Sequence, residues 1–403
     1  MRALARPLES DARTGTRLGV DLDAIAANTR RFAGATDASL MAVVKADGFG
    51  HGAVDVARTA LANGATWLGV TSVTEALELR TAGLRAPVLS WLNPVDADFW
   101  TAIAAGVDLA VPTFAHLEAV STAARTLGGR ARVHLHLDTG LARDGAPPAQ
   151  WASLCRAARR AERQGSLQVV GMMGHLACAD TPTDPSNGTG RTRFAWGLEL
   201  ARAAGLRPQH RHLAATAAAL TDPRSHHTMV RIGAGLVGID PSHTTSLRPA
   251  VELTTPIISV RQVRGGTPVG YGHTRSTREA TTLALIGLGY ADGLPRVGSD
   301  RAEVADGLPR VGSDRAEVQV AGRRCRVIGR ISMDQTVIDL GPDTGLAPAE
   351  EGDLVTVFGP GGAGEPTVAD WAAWCDTIEH EIVTGIGARV RRTPLRLPLR
   401  GLR

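Results

Sequence analysis

The chain carries 44 basic residues, and all but one are arginine. The single lysine, Lys45, closes an apolar run in AVVKADGFGHG, residues 42–52, and is followed by Gly48, Gly50 and Gly52. A primary amine at a strand end, beside a glycine-rich flexible turn, can form a Schiff base with an aldehyde cofactor, of which pyridoxal phosphate (PLP) is the commonest. A surface lysine that merely ends a strand would give the same local pattern. Codon drift toward arginine explains the composition but not the position of the survivor, because a guanidinium cannot form that bond.

The elements that must hold Lys45 alternate along the first part of the chain. Candidate strands lie at 41–45, 67–70, 87–92, 108–111, 132–138, 168–175 and 228–232. Helical stretches fall near 22–33, 52–64, 73–83, 114–126, 148–164 and 192–204, and on the first of them Leu22, Ile25, Ala26 and Thr29 mark one face. Successive strand-then-helix units call for parallel strands with helical crossovers. At this length they predict an α/β fold, a (β/α)8 TIM-like barrel over residues 18–245, rather than a doubly wound sheet. Such barrels do their chemistry at the C-terminal ends of strands, and Lys45, Asp138, His175 and Arg231 all end predicted strands. Residues 1–17 are expected to form an N-terminal tail. From 246 to 403 the runs 251–264, 281–290, 317–328, 335–340 and 353–358 are rich in Val, Ile, Leu and Thr, which predicts a mostly β C-terminal domain. A helical region near 367–387 follows, with Thr367 as its cap.

Composition narrows the function classes. Hydrophobic residues make up 43% and charged residues 21%, the balance of a globular protein with a real core. No apolar run is long enough for a transmembrane helix, and the charged N-terminal segment lacks the apolar block of a secretory signal. A cytoplasmic protein with no membrane partner is expected. The net charge is only +4 and the arginines are scattered, with no stripe suited to nucleic acid. Cys155, Cys178, Cys325 and Cys375 are far apart and lack metal-ligand spacing, so idle thiols and no bound metal are expected.

The lysine motif does not stand alone: it resembles that of the alanine racemases, the fold-type III PLP enzymes. Further blocks follow in family order, namely HLDTGLARDG (136–145), GHLACAD (174–180), HLAATAA (212–218), VRIGAGLVGI (230–239), GYGHT (270–274), GLGYADGLPR (287–296), GRISMDQ (329–335) and TIEHEI (377–382). The resemblance covers nearly the whole chain. It implies a PLP-dependent racemase that interconverts L- and D-alanine, feeds peptidoglycan precursors, and works as a head-to-tail homodimer with sites shared across the interface. Lys45 would hold PLP and act as one base, with Tyr271 of the partner subunit as the other. Moving an α-proton from one face to the opposite one needs two such groups. A tyrosine near its ordinary pKa of about 10 needs help from neighbours to serve as a base.

His175 matches the imidazole that contacts both cofactor and tyrosine, and Arg231 the guanidinium facing the pyridine nitrogen. An always-charged group there disfavours protonation of that nitrogen and weakens the ring as an electron sink. PLP decarboxylases of similar fold place a carboxylate instead. Arg143 matches an arginine near the cofactor's phenolic oxygen and the substrate carboxylate. Met333, through its backbone N–H, and Asp334 match the remaining substrate contacts. The amides of Gly233 and Ala234, with the Thr216 hydroxyl, would receive the phosphate.

The chain departs from the family pattern at Phe49 and His380, each in place of a phosphate-contacting tyrosine, and at Ala215 and Thr216, in place of an Asn-Ser pair. His136 replaces a lysine, often carbamylated, that orients the arginine matched by Arg143. These changes imply a thinner phosphate shell. Residues 291–304 and 305–318 both read ADGLPRVGSDRAEV, a perfect tandem copy, of which one is expected to bulge as a surface loop. Two other readings remain: racemisation of another small amino acid such as serine, and a non-catalytic relic that binds PLP or a drug. Lys45→Arg should abolish covalent cofactor attachment, with no second lysine to rescue it. Borohydride reduction followed by intact-protein mass measurement should give a PLP adduct in the parent and none in the variant.

Overall fold

The structure, a computed structural model, describes residues 15–299, 315–342 and 349–395. It divides into two compact units, Leu22–Arg248, and Met1–Asp21 with Pro249–Arg403. The division moves the expected start of the barrel. Strand β1 (Arg17–Val20) is not barrel: it runs antiparallel to β10 (Val251–Val263) and parallel to β18 (Arg391–Pro394), so it belongs to the unit built by the end of the chain. Residues up to Arg248 stay with the barrel, where the Asn28 side chain accepts from the Arg248 amide and donates to the Arg248 and Leu236 carbonyls.

The unit Leu22–Arg248 is an eight-stranded parallel barrel wrapped by helices. Its strands are β2 (Ser39–Val43), β3 (Trp67–Val70), β4 (Val88–Ser90), β5 (Val107–Val111), β6 (Ala131–His136), β7 (Leu167–Met173), β8 (His210–His212) and β9 (Met229–Ile232), in the order β8-β7-β6-β5-β4-β3-β2-β9. The ends of that sheet meet through Thr228 N–H to Arg211 O at 3.1 Å and Arg231 N–H to Ala214 O at 3.0 Å. The strands read as near-continuous apolar runs because helices cover the outer face and side chains fill the interior. Four strands stop two residues earlier than expected, at Val43, Ser90, His136 and Met173, so Lys45, Asp138 and His175 sit just beyond their strands rather than at the ends of them. β8 was not among the expected strands.

The helices are α1 (Leu22–Gly34), the short turn α2 (Lys45–Gly50), α3 (Ala53–Ala62), α4 (Val73–Thr81), α5 (Phe99–Ala104), α6 (Phe114–Leu127), α7 (Pro148–Arg163), α8 (Pro185–Ala203) and α9 (Thr216–Thr221). Their starts follow ordinary chemistry. Ser72 and Glu75 form a capping box on α4, Thr113 caps α6, and Asp184 with Pro185 opens α8. That last start precedes the apolar pattern, and the helix therefore begins seven residues before the expected 192.

The other unit is a sheet in the order β13-β16-β15-β14-β17-β10-β1-β18, with β10 also pairing β13 (Thr281–Ile286). Its remaining strands are β14 (Glu317–Val320), β15 (Arg323–Val327), β16 (Thr336–Asp339) and β17 (Leu354–Phe358), with a two-strand ribbon of β11 (Pro268–Val269) and β12 (Arg275–Ser276). Helix α10 (Val368–Cys375) starts at Thr367, whose hydroxyl accepts from Asp370 N–H as expected, and its buried Trp371 donates to the Val357 carbonyl at 2.8 Å. Helix α11 (Glu379–Gly385) follows. The seam of the tandem copy falls outside the described residues. No helix among those described is long and apolar enough to cross a membrane.

One barrel position is set by a close approach. A Cβ on Gly171 of β7 would lie 2.0 Å from Nδ1 of the buried His134 ring. Gly171→Ala should therefore lower stability by about 1–3 kcal/mol, the ordinary scale of overpacking, read as a drop in the urea midpoint at unchanged slope.

Candidate active site

Lys45 begins a turn of the wrong hand. Ala46, Asp47, Gly48 and Phe49 all have φ between 52° and 62° with ψ between 40° and 52°, a full left-handed turn. Three of the four carry a Cβ, and each such residue costs about 1–2 kcal/mol there. Hydrogen bonds hold the turn in place. Gly48 N–H donates to Val44 O at 2.9 Å and Gly52 N–H to Asp47 O at 2.8 Å, while Ala53 N–H donates to the Asp47 carboxylate at 2.9 Å. Glu75, already the capping-box acid of α4, accepts from Ala46 N–H at 2.7 Å. Burial raises the Glu75 pKa, but donation from Ala46, Thr71 and Ser72 outweighs it and the carboxyl ends below its ordinary value. The expected flexible turn is instead a strained and tethered one, which presents the lysine from a fixed root. Burial, and then Arg143, hold the Lys45 amine below its ordinary 10.5, against the pull of Glu75.

Arg231 on β9 lies almost fully buried at the centre of a hydrogen-bond cluster. Nη1 donates to His212 O at 2.9 Å and meets His212 Nδ1 at 3.1 Å. Nη2 donates to Gly174 O at 2.8 Å and Leu213 O at 3.3 Å, and meets His175 Nδ1 at 3.1 Å. An arginine only donates, so both imidazoles must accept at Nδ1, and each keeps its proton on Nε2. Burial lowers Arg231 to about 10, still charged at neutral pH. Burial first, and then the Arg231 charge, push His175 down to about 3, so it is neutral. Nε–H is the one Arg231 donor that no group among the described residues accepts.

Arg143 sits in the loop after β6. Asp138 shapes that loop by accepting at Oδ1 from the amides of Gly140, Leu141 and Ala142 at 2.8, 3.1 and 3.2 Å. His136, at the end of β6, places Nδ1 3.3 Å from Asp144 Oδ2. The close approach of His136 holds the Asp144 carboxyl below its ordinary value despite partial burial. Thus the carboxylate next to Arg143 along the chain is engaged by the imidazole. A small open cleft lies between His136, Asp138, Arg143, Asp144 and His175.

Thr216, the first residue of α9, accepts at Oγ1 from Gly233 N–H at 3.4 Å and Gly235 N–H at 3.2 Å, which leaves its own O–H to donate. Ala215 before it offers no capping oxygen. The Phe49 ring lies where a Gly233 Cβ would be, 2.6 Å from that point. Phe49, Thr216, Gly233 and Ala234 are therefore gathered at one place, with bare backbone at its centre.

Tyr271, Met333 and Asp334 belong to the other unit. Tyr271 is 68% exposed on a turn between β11 and β12. A Cβ on either glycine flanking it would lie within 3.2 Å of Arg330, so the GYGHT and GRISMDQ segments touch. Met333, 54% exposed, has its carbonyl bonded to Ala291 N–H, and Asp334 pairs with Arg389 at 2.7 Å. The barrel thus assembles Lys45, His175, Thr216, Arg231, Gly233, Ala234 and the Arg143 loop, while the sheet unit presents the other three. Sequence reasoning missed Glu75 and His212, together with His134 and Asp108 behind them. The signal was the alternation of histidines in HLHLD and HRH, which puts them on one face of a strand.

The profile of the family described as alanine racemase, N-terminal domain, matches residues 20–241, and that of the C-terminal domain matches 250–305 and 304–394. The break between the last two falls at the junction of the tandem copies. An alanine racemase of Thermobifida fusca is 45% identical over 377 residues, 93% of this chain and 96% of that protein. One of Frankia casuarinae is 46% identical over 380 residues, 93% of this chain and 94% of its own. The crystal structure of alanine racemase from D-cycloserine-producing Streptomyces lavendulae superposes with a TM-score of 0.89 at 41% identity, covering 96% of this chain and 98% of that one. With the barrel, the buried arginine and the tethered lysine turn, these likenesses place the chain in the alanine racemase family.

Proposed function

We propose that the protein racemises alanine with PLP held on Lys45, as a homodimer in which the partner subunit's Tyr271 completes each site. The observation that carries this reading is the Arg231 cluster beside a strained, singular lysine. Every Arg231 donor but Nε–H is satisfied by protein, which leaves one charged donor for a ring nitrogen that must stay unprotonated. The residues fit PLP in other respects as well. Lys45 offers an amine of lowered pKa for the aldehyde, and Arg143 a guanidinium near it. The hydroxyl of Thr216 and the amides of Gly233 and Ala234 supply donors for a phosphate.

Bound PLP would supply an electron sink that acidifies the α-proton of an amino acid. The chain's own residues would do the rest. Lys45 Nζ takes or returns a proton on one face of Cα, and Tyr271 Oη on the opposite face. His175 carries its proton on Nε2 and donates from there, so it can stabilise the phenolate that a tyrosine base requires. The positive charge of Arg231 disfavours a second positive charge on the ring, which suits proton return over side reactions. Arg143, the Met333 amide and Asp334 orient the substrate's carboxylate end.

Incubating the PLP-loaded protein with L-alanine in deuterated water should place solvent deuterium at Cα with loss of optical activity. Absence of exchange would overturn the proposal in favour of a binding relic, and faster exchange with L-serine would reassign the substrate. The rate at which PLP attaches to the cofactor-free protein should rise with pH, because only the neutral amine reacts. Its midpoint should lie below the ordinary lysine value of 10.5, as followed by the visible absorption of the adduct.

A further inference from the structure

Behind Arg231 the hydrogen bonds do not stop at His212. His212 Nε2 lies 2.8 Å from Nδ1 of His134 on β6, and His134 Nε2 lies 3.3 Å from Oδ2 of Asp108 on β5. Both imidazoles are fully buried and Asp108 nearly so. Arg132 closes the line, gripping Asp108 with Nε to Oδ1 at 2.8 Å and Nη2 to Oδ2 at 3.0 Å. Asp108 and Arg132 sit near the start of their strands, whereas His212 and His175 sit at or past the end of theirs. The line therefore runs along the barrel interior from the end away from Lys45 toward the lysine.

The two ends of this line leave one arrangement of protons. Arg231 can only donate, so His212 accepts at Nδ1 and its proton is on Nε2. That proton points at His134 Nδ1, which must accept, so the His134 proton is on Nε2 and donates to Asp108. Reversing the order would set a His212 Nδ1–H against an Arg231 N–H, two donors at 3.1 Å. Ionised Asp108, held from the other side by Arg132, requires the same order. The packing protects it as well. Trp67 stands edge-on to the rings of His134 and His210, at 5.6 and 4.6 Å between centroids, and Gly171 leaves room for the His134 ring.

We propose that Asp108 and His134 are positioning residues for the racemase site, fixing the tautomer of His212 from the far end of the barrel and so aiming the Arg231 guanidinium. The inference rests on the function proposed above, in which the direction of Arg231 matters. Neither residue touches the reacting atoms. With the His212 tautomer unfixed, Nη1 loses an acceptor, and the guanidinium is free to tilt away from His175 and to re-aim Nε–H.

The test separates aim from mere stability. In protein labelled with 15N-histidine and without substrate, long-range 15N–1H correlations should report His134 and His212 as single Nε2–H tautomers. A Nδ1–H form of either in the parent protein would overturn the proposal whatever any variant does. His134→Leu removes the acceptor, and His212 should then lose its single tautomer. A wrong tautomer at a histidine that itself moves a proton costs about 10⁴-fold. Here the effect passes through a further residue, so kcat for L-alanine should fall roughly 10–100-fold, the scale of outer partners around metal sites, with KM little changed. His134→Asn places a carbonyl oxygen near the lost Nδ1 and should restore both the tautomer and most of kcat. An unchanged tautomer or kcat in His134→Leu, or no rescue in His134→Asn, would overturn it. Absence of racemisation by the parent protein would instead count against the function and leave the tautomer result to be judged by itself.

Discussion

An arginine has five N–H donors and no acceptor, and burying one forces every neighbour to accept. Arg231 imposes that rule on the barrel. Three backbone carbonyls, of Gly174, His212 and Leu213, turn toward it from the ends of β7 and β8. Two imidazoles must present lone pairs to it, and burial keeps both neutral, His175 near 3 and His212 well below its ordinary value. The charge itself survives because its hydrogen bonds replace the water it lost. Strand placement, imidazole tautomer and the charge of the site are thus one problem with one solution.

The second constraint is local and opposes the first in character. Around Arg231 every donor but Nε–H finds an acceptor, while the root of Lys45 stores strain. Three non-glycine residues in left-handed conformation cost roughly 3–6 kcal/mol together. The bonds from Val44, Asp47 and Glu75 to that turn, each worth about 1 kcal/mol net, offset most of it. Glu75 serves the start of α4 and the lysine turn at once, so ordinary helix capping also braces the functional residue.

Much of this was legible in the sequence. Apolar runs placed β3 and β5 almost to the residue, and the lysine and arginine motifs pointed to the barrel's chemistry. The failures have physical causes. β8 reads HRH, and a three-residue strand of polar groups carries no apolar signal, because its histidines face a polar interior rather than an aliphatic core. The start of α8 lay hidden because Asp184 and Pro185 open it through capping, ahead of any amphipathic pattern. β1 was not among the expected strands, and residues 18–20 fell within the expected barrel range, because its partners lie more than 200 residues away in β10 and β18. The left-handed turn was invisible because Ala46 and Phe49 disfavour it and a single tolerant residue, Asp47, does not announce it, so the surrounding bonds select it.

The ordered imidazoles have one more consequence. His175 and His212 meet one guanidinium and His134 lies behind His212, a concentration of nitrogen that elsewhere would be read as a place for zinc or nickel. A metal needs an imidazole lone pair, and here each lone pair already receives a proton donor while each opposite nitrogen carries a hydrogen. The barrel interior can therefore hold these three histidines without becoming a chelator. The order of protons that directs the arginine also makes the core inert to coordination.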